Sequence, residues 1–349
     1  MKDDNHLSRN NHLPTFTTMS DTRESVLVTG ANGFVGSRLC AHLIQKGYHV
    51  IAQVRRTSDL SLLKDLSVEY RYSDVTAPET LPDMVRGVDY IVHNAGVIKA
   101  RRRETFFAVN EQGTRDLLSS VVAHNPKVKR VVLVSSVAAA GPSTPGCPVR
   151  ETDTPHPITT YGESKLAGER VALSFANRLP AVVVRPPGVY GPGDRGIYSM
   201  FKAVWLHLKP LIGDSRRKLQ LVHVDDLCEG IAKALKAPTK SGEIYFIAER
   251  DAYEYGELIN ILVAASGRWT VPLYLPSPLF RAIATISEFT FKAVGATPLL
   301  TREKTRELSS SWEMDTSRAK AELGFESTIS FADGARQTFE WYIRNGWLR

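Results

Sequence analysis

From residue 25 onward, short runs of β-branched and aliphatic residues alternate with longer stretches in which apolar positions recur three and four residues apart. The runs at 26–29, 50–54, 69–72, 90–94, 130–135, 181–185 and 244–248 predict strands. The stretches at 34–46, 105–124 and 161–177 predict helices between them. Strands joined by helices must run parallel, and near-continuous apolar runs mark strands buried on both faces. The fold class expected is therefore α/β, a doubly wound parallel sheet.

After Arg185 this regularity breaks at Pro186, Pro187, Gly188, Gly191, Pro192 and Gly193. The tail that follows predicts a smaller C-terminal substrate-binding lobe beside the carboxyl edge of the sheet. The boundaries expected are a nucleotide-binding unit at 25–190, rejoined by 220–250, and a lobe built from 191–219 and 251–349. Within the lobe, the apolar stretch 273–300 is interrupted by Arg281, Glu288 and Lys292. It predicts an amphipathic helix packed on the core, with a lid over an apolar substrate or a membrane-surface contact as alternatives. Residues 1–24 are polar and aperiodic and predict a disordered extension.

Composition narrows the function classes. The chain has 349 residues, 43% hydrophobic and 23% charged, with 24 glycines and 19 prolines, as in a globular protein with a sizeable core. No stretch approaches the roughly 18 uncharged apolar residues of a spanning helix, so membrane contact is expected to be peripheral at most. Cys40, Cys147 and Cys228 form no Cys-x-x-Cys, which argues against disulfides and zinc and for a reducing, cytoplasmic setting. His93 and His156 have no partner at ligand spacing, so no metal is expected. The 44 basic and 37 acidic residues give a formal charge of +7. The basic residues are dispersed, and the one dense run, Arg101 to Arg103, lacks interleaved aromatics, so nucleic acid is not expected as a partner.

The first chemistry-bearing element is Val26-Leu-Val-Thr-Gly30-Ala-Asn32-Gly33-Phe34-Val35-Gly36. Gly30 permits a tight turn, Gly33 removes the Cβ that would block a pyrophosphate, and Gly36 lets the helix pack on the strand. The helix start offers free N–H groups to phosphate. The strand before and the helix after supply the context that a lone glycine triplet lacks. An acidic residue some 20 positions on would bind the ribose hydroxyls of NAD(H), and it is missing. The chain instead reads Gln53-Val54-Arg55-Arg56, whose guanidinium groups suit a 2′-phosphate, so NADP(H) is favoured over NAD(H). The alternative is that these arginines simply face solvent and Asp59 reaches a ribose hydroxyl.

The second element is Ser135-Ser136 followed by Tyr161-Gly-Glu-Ser-Lys165. On a helix, the i, i+4 spacing puts the phenol of Tyr161 and the ammonium of Lys165 on one face. A nearby cation and an oxidised nicotinamide would favour the phenolate, which makes the tyrosine usable as an acid–base group.

Together with Asp74-Val75, His93-Asn94-Ala95-Gly96, Asn110-Glu-Gln-Gly-Thr114, Arg185-Pro-Pro-Gly-Val-Tyr190 and Val222-His-Val-Asp-Asp226, these elements resemble the extended short-chain dehydrogenase/reductase superfamily, the NAD(P)-dependent epimerase/dehydratase-like group. The resemblance runs over nearly all of 25–342. It implies a Rossmann-type sheet, with Tyr161 as general acid–base, Lys165 on the nicotinamide ribose and lowering the phenol's pKa, and Ser136 on the substrate carbonyl. It implies that Gly30, Asn32, Gly33, Phe34, Val35, Gly36, Asn94, Ala95 and Gly96 line the cofactor. Asp74 would meet the adenine amino group, Val75 its ring, and Pro187 and Val189 the carboxamide. Asn110 would complete a proton relay or fix its helix, and the local backbone bond common for a helical Asn is the stronger expectation. His223, Asp225 and Asp226 read as a helix start in which aspartate caps the terminus. A homodimer through the helices at 105–124 and 161–177 is also implied.

Departures from the sugar-nucleotide members bear on the reaction. No carboxylate stands beside Ser136 in Ser136-Val-Ala-Ala-Ala140 to assist elimination, and the loop after Arg185 lacks the asparagine expected to grip a diphosphate. The remaining pattern is similar to the hydroxysteroid dehydrogenase and dihydroflavonol reductase-like branch. That implies interconversion of a ketone and a secondary alcohol on a small, hydrophobic carbonyl or alcohol substrate. A sugar-nucleotide epimerase and a non-catalytic NADPH-binding sensor or scaffold stand as alternatives.

Overall fold

The computed structural model describes residues 23–293 and 301–349. Thirteen strands occur among the described residues: β1 Ser25–Thr29, β2 His49–Val54, β3 Glu69–Tyr72, β4 Tyr90–His93, β5 Arg130–Val134, β6 Ala181–Arg185, β7 Gly188–Tyr190, β8 Leu208–Ile212, β9 Lys218–Leu219, β10 Leu221–His223, β11 Ile244–Phe246, β12 Tyr253–Glu254 and β13 Val271–Leu275. Seven of them form one sheet in the order β11-β6-β5-β4-β1-β2-β3, and every pairing in it is parallel. All seven strands expected from the pattern are present, within two residues at each end.

Alternation along the strands builds a core on each face. Val26 and Val28 of β1 pack with Leu39, Leu43, Leu227 and Ile231, from the helices Phe34–Gln45 and Val224–Lys236. Leu27 turns to the other face, among Leu117, Val121, Val171 and Ala172 of the helices Gly113–His124 and Thr160–Ser174. Because β2 and β3 lie on one side of β1 and β4 on the other, the strand order reverses between β1 and β4. The crevice at the carboxyl ends of these two strands is the natural ligand site of such a sheet.

A separate aromatic cluster holds the lobe. Phe201, Tyr255, Phe331, Phe339 and Tyr342 are all buried there, joined by Tyr190 from β7. Asp226 ties the lobe down by accepting hydrogen bonds from the backbone N–H groups of Thr328 and Ile329 and from the Thr328 hydroxyl.

Four expectations need correction. Glu24 belongs to the folded unit: it pairs with Lys129 and Lys236 and accepts from the Tyr90 hydroxyl, which lowers its carboxyl to about 2. The rest of 1–24, except Arg23, lies outside the described residues. The single helix expected at 105–124 is the helix Arg103–Phe107, a wider π turn at Ala108–Gln112, and then Gly113–His124. The cap of the helix Val224–Lys236 is His223, whose Nδ1 accepts from the Asp225 N–H, while Asp225 pairs with Arg38 at 2.6 Å. The stretch 273–300 begins as the end of β13 and continues as the helix Ser277–Ala293, leaving several apolar side chains exposed rather than packed. Residues 294–300 lie outside the described residues.

Candidate functional site

The glycine turn sits at the strand-order reversal. Thr29 and His93 are register partners at the ends of β1 and β4, so the chain leaving β1 meets the chain leaving β4. Gly30 turns there with φ of +64°, and a Cβ on it would lie 2.9 Å from the Ala95 Cα. A Cβ at Gly36 would lie 2.2 Å from the Gly30 carbonyl oxygen, which accounts for the third glycine as a helix-packing requirement. Gly33 differs: a Cβ there meets only that oxygen, at 3.4 Å, so its smallness leaves space in front of the helix rather than relieving a clash. The helix Phe34–Gln45 has no side-chain cap and no acid in its first turn. Its leading N–H groups and dipole therefore face this space, and the residues present fit the pyrophosphate of a dinucleotide.

Gln53, at the end of β2, braces the turn. Its Oε1 accepts from Gly30 N–H at 3.1 Å and its Nε2 donates to the Ser73 carbonyl at 2.6 Å. Arg55 and Arg56 follow it, both exposed, with Arg56 lying over the Tyr72 ring at 5.4 Å. The Asp59 carboxylate is engaged by the Ser61 N–H, and its backbone carbonyl accepts from Asn32 Nδ2. Asp74 Oδ1 accepts from both the N–H and the hydroxyl of Thr76, and Val75 is buried against Gly113. Phe34, Val35 and Asn94 are half-buried along the same crevice. Val189 lies where β7 pairs with β10, in register with Val222, and Pro187 immediately precedes β7.

The residues expected to do acid–base chemistry gather across the crevice. Ser136 leaves the end of β5 and caps a short helix through its Oγ, which accepts from Ala138 N–H. Tyr161 and Lys165 lie one turn apart on the helix Thr160–Ser174. Burial pushes the Tyr161 phenol up to about 12; the Ser136 hydroxyl pulls it back part of the way and the Glu307 charge adds to the rise. Lys165 is drawn down to about 8, again by burial, with Glu169 opposing, and its Nζ donates to the Val134 carbonyl at 2.7 Å. Lys165 thus stands one turn from the phenol on the same helix face.

Asn110 also departs from expectation. It sits in the π turn, buried, and its side chain makes no local backbone bond. Its Oδ1 accepts from Val97 N–H, and its Nδ2 donates to the Val97 carbonyl and to the Ser164 hydroxyl. A Cβ at Gly96 would lie 3.1 Å from Asn110 Oδ1 and 3.6 Å from Lys165 Nζ, so Gly96, Asn110 and Lys165 surround one point. The π turn, which widens the helix by one residue, brings the asparagine to the loop after β4.

Two supporting networks had no sequence signal beyond the residues themselves. Thr114 donates to the Asn110 carbonyl and accepts from His93 Nε2, while Thr29 accepts from Ala95 N–H and donates to His93 Nδ1. That donor count makes His93 the neutral Nε2–H form, and burial with the nearby Lys165 charge lowers it to about 3. The second network is Ser135, Glu169 and Arg185, directly beneath Ser136. From the lobe, Glu303 on the helix Arg302–Ser309 accepts from the N–H and hydroxyl of Thr160, which places that helix beside Tyr161.

Comparison with known proteins places the fold among nicotinamide-dependent relatives. The NAD dependent epimerase/dehydratase family matches residues 26–248. The ceramide reductase of Caulobacter vibrioides is 29% identical over 330 residues, covering 94% of this chain and 98% of the relative. The crystal structure of gox2253 is similar with a TM-score of 0.79 and 28% identity, over 94% of this chain and 100% of that one. The structure of MoeE5 in complex with UDP-glucuronic acid and NAD is similar with a TM-score of 0.73 and 25% identity, over 92% of this chain and 99% of that one.

Proposed function

The chain belongs to the NAD dependent epimerase/dehydratase family of extended short-chain dehydrogenases/reductases, enzymes that work with a nicotinamide cofactor, and on that premise we propose that it reduces a ketone on an apolar substrate with NADPH. The observation that carries this reading is the grouping of Ser136 with Tyr161, one helical turn from Lys165, whose Nζ lies beside Gly96 at the end of the glycine-turn crevice. A phenol held near 12 keeps its proton at neutral pH, which suits donation to a developing alkoxide better than abstraction from an alcohol.

In this reading the uncapped turn at Gly30, Gly33 and Gly36 holds the pyrophosphate, and Arg55 with Arg56 holds the 2′-phosphate. The Asp59 carboxylate already accepts from the Ser61 N–H, which supports NADPH over NADH. The bound cofactor supplies a hydride. Ser136 donates a hydrogen bond to the substrate oxygen and orients it, and Tyr161 gives that oxygen its proton. Lys165 holds the ribose hydroxyls beside Gly96, and Asn110 fixes the Val97 backbone and Ser164 on either side. The similarity to a ceramide reductase supports an apolar, lipid-like ketone.

One observation favours a second reading, redox-neutral epimerisation of a sugar nucleotide. A cavity of about 480 Å³ between the helices Ser277–Ala293 and Arg302–Ser309 is lined by Arg281, Arg302 and Arg306 with several hydroxyl groups, a set suited to a diphosphate. A screen of apolar ketones that follows loss of the reduced-nicotinamide absorbance separates the two. Stoichiometric NADPH consumption, slower with NADH, is expected. Conversion of a sugar nucleotide without cofactor consumption would replace the proposal with the second reading.

A further inference from the structure

The paired strands β8 and β13 and the helix after them bear an apolar surface that the lobe core does not use. Val271 and Leu273 share one face of β13 and are 54% and 50% exposed, Trp269 two residues before Val271 is 70% exposed, and Tyr274, 72% exposed, stands on the opposite face of the ribbon. On the helix Ser277–Ala293, Leu279, Ile283 and Ile286 stand at i, i+4 and i+7, a single stripe, and all three are exposed. Phe280 and Ala284, about 100° round the same helix, are the buried side chains that fasten it to the protein. The stripe is thus a second apolar face, directed away from the core.

The ribbon and its flanks are one surface. Val271 N–H donates to the His207 carbonyl, the His207 ring stacks on Trp269 at 4.2 Å, and the Arg268 guanidinium lies over Trp205 at 3.8 Å. Gly213, at the end of β8, donates to the Leu275 carbonyl just before the helix begins. Contiguous exposed apolar surface of this kind marks a binding face rather than ordinary surface scatter.

Charge selects the occupant. Residues 202–214 contain Lys202 and Lys209 with one acid, Asp214, at their end, and residues 268–288 contain Arg268 and Arg281 with one acid, Glu288, at their end, so basic residues outnumber acidic ones in both segments together. Exposed aliphatic side chains, a Trp at the margin and an excess of cations over anions are what an anionic bilayer surface attracts. A second copy of the chain would bring these like charges against one another. Among the described residues no helix is long and apolar enough to cross a membrane, so the contact lies in the interface.

We propose that this face docks the protein on an anionic phospholipid surface through β13 and the Leu279–Ile283–Ile286 stripe. The same helix packs on the helix Arg302–Ser309, which reaches Thr160 beside Tyr161. If the ketone reading holds, the docked face is joined through that helix to the segment carrying Tyr161, which suits a substrate drawn from the bilayer. The docking itself does not depend on that reading.

Co-sedimentation of the full chain with lipid vesicles tests the proposal without cofactor or ketone. The chain is expected to pellet with phosphatidylcholine vesicles containing about 30% phosphatidylglycerol, at least about ten-fold less with phosphatidylcholine alone, and less as salt is raised. Leu273→Glu with Ile283→Glu should cut binding at least about ten-fold while melting temperature and NADPH affinity stay at the wild-type values. Lys202→Glu with Lys209→Glu, which leaves the apolar positions intact, should abolish the preference for anionic vesicles. A wild-type chain that stays in the supernatant with both vesicle types overturns the proposal. So does conversion of a dimer to a monomer by the Leu273→Glu/Ile283→Glu variant, which would make the face a contact between copies.

Discussion

Glu169 and Arg185 meet in a two-pronged ion pair at 2.6 and 2.9 Å with both side chains 1% exposed. The Ser135 hydroxyl donates to the same carboxylate at 2.5 Å, so the pair sits directly beneath Ser136 and ties β6 to the helix that carries Tyr161 and Lys165. Breaking it from one side leaves a buried charge without its partner. Glu169→Gln is expected to cost about 3–5 kcal/mol in denaturant unfolding, whereas Glu169→Leu with Arg185→Met should recover most of that loss. Equal losses in the single and double variants would show that the pair itself stabilises the fold.

The three glycines should separate by function. Gly36→Ala forces a methyl against the Gly30 carbonyl, so it should lower the melting temperature and cofactor affinity together. Gly33→Ala meets nothing closer than 3.4 Å, so the protein should fold normally and bind NADPH at least about ten-fold more weakly in a fluorescence titration. Unchanged binding in Gly33→Ala would remove the phosphates from this turn.

His93 predicts a pH dependence with a definite sign. An unfolded histidine takes up a proton near 6.5 and the folded one only near 3, so the unfolded chain binds more protons between these values. Its contribution to stability is complete above about 6.5 and is lost toward 3, with a slope of at most about 1.4 kcal/mol per pH unit. Urea midpoints measured across this range should fall more steeply for the wild type than for His93→Gln.

Lys165 works in the opposite sense to a lysine stabilised by a partner. Its folded pKa near 8 lies below the unfolded value of 10.5, so its charge burdens the fold below pH 8 and the burden is relieved as pH rises from 8 to 10.5. Lys165→Met should therefore raise the melting temperature at pH 7, by a margin that shrinks toward pH 10, while abolishing turnover. A melting temperature lower than wild type at pH 7 would mean that the bond to the Val134 carbonyl outweighs the desolvation.

Much of this site was legible because its parts are local. A parallel strand buried on both faces announces itself by composition, and the turn at Gly30 to Gly36 is contiguous, as is the spacing of Tyr161 and Lys165. What stayed hidden depends on contacts distant in sequence. Asn110 reads as one residue of a continuous amphipathic helix, since apolar spacing does not show the extra residue of a π turn. The relay from Thr29 through His93 to Thr114 joins three strand and helix ends, and Gln53 occupies the place where only a missing acid was expected. In the lobe, the apolar residues of 273–300 show the same periodicity whether they meet the core or solvent, so the exposed stripe emerges only from the fold.

The central claim is that Tyr161 supplies the proton while the rest of the site holds the reactants. Its most direct test is a single-turnover measurement of NADPH oxidation with an apolar ketone in the wild type and in Tyr161→Phe, beside a titration of NADPH binding to both. The account predicts loss of turnover by about a hundred-fold or more in the variant with cofactor affinity unchanged. Turnover within a few-fold of wild type in Tyr161→Phe would contradict it.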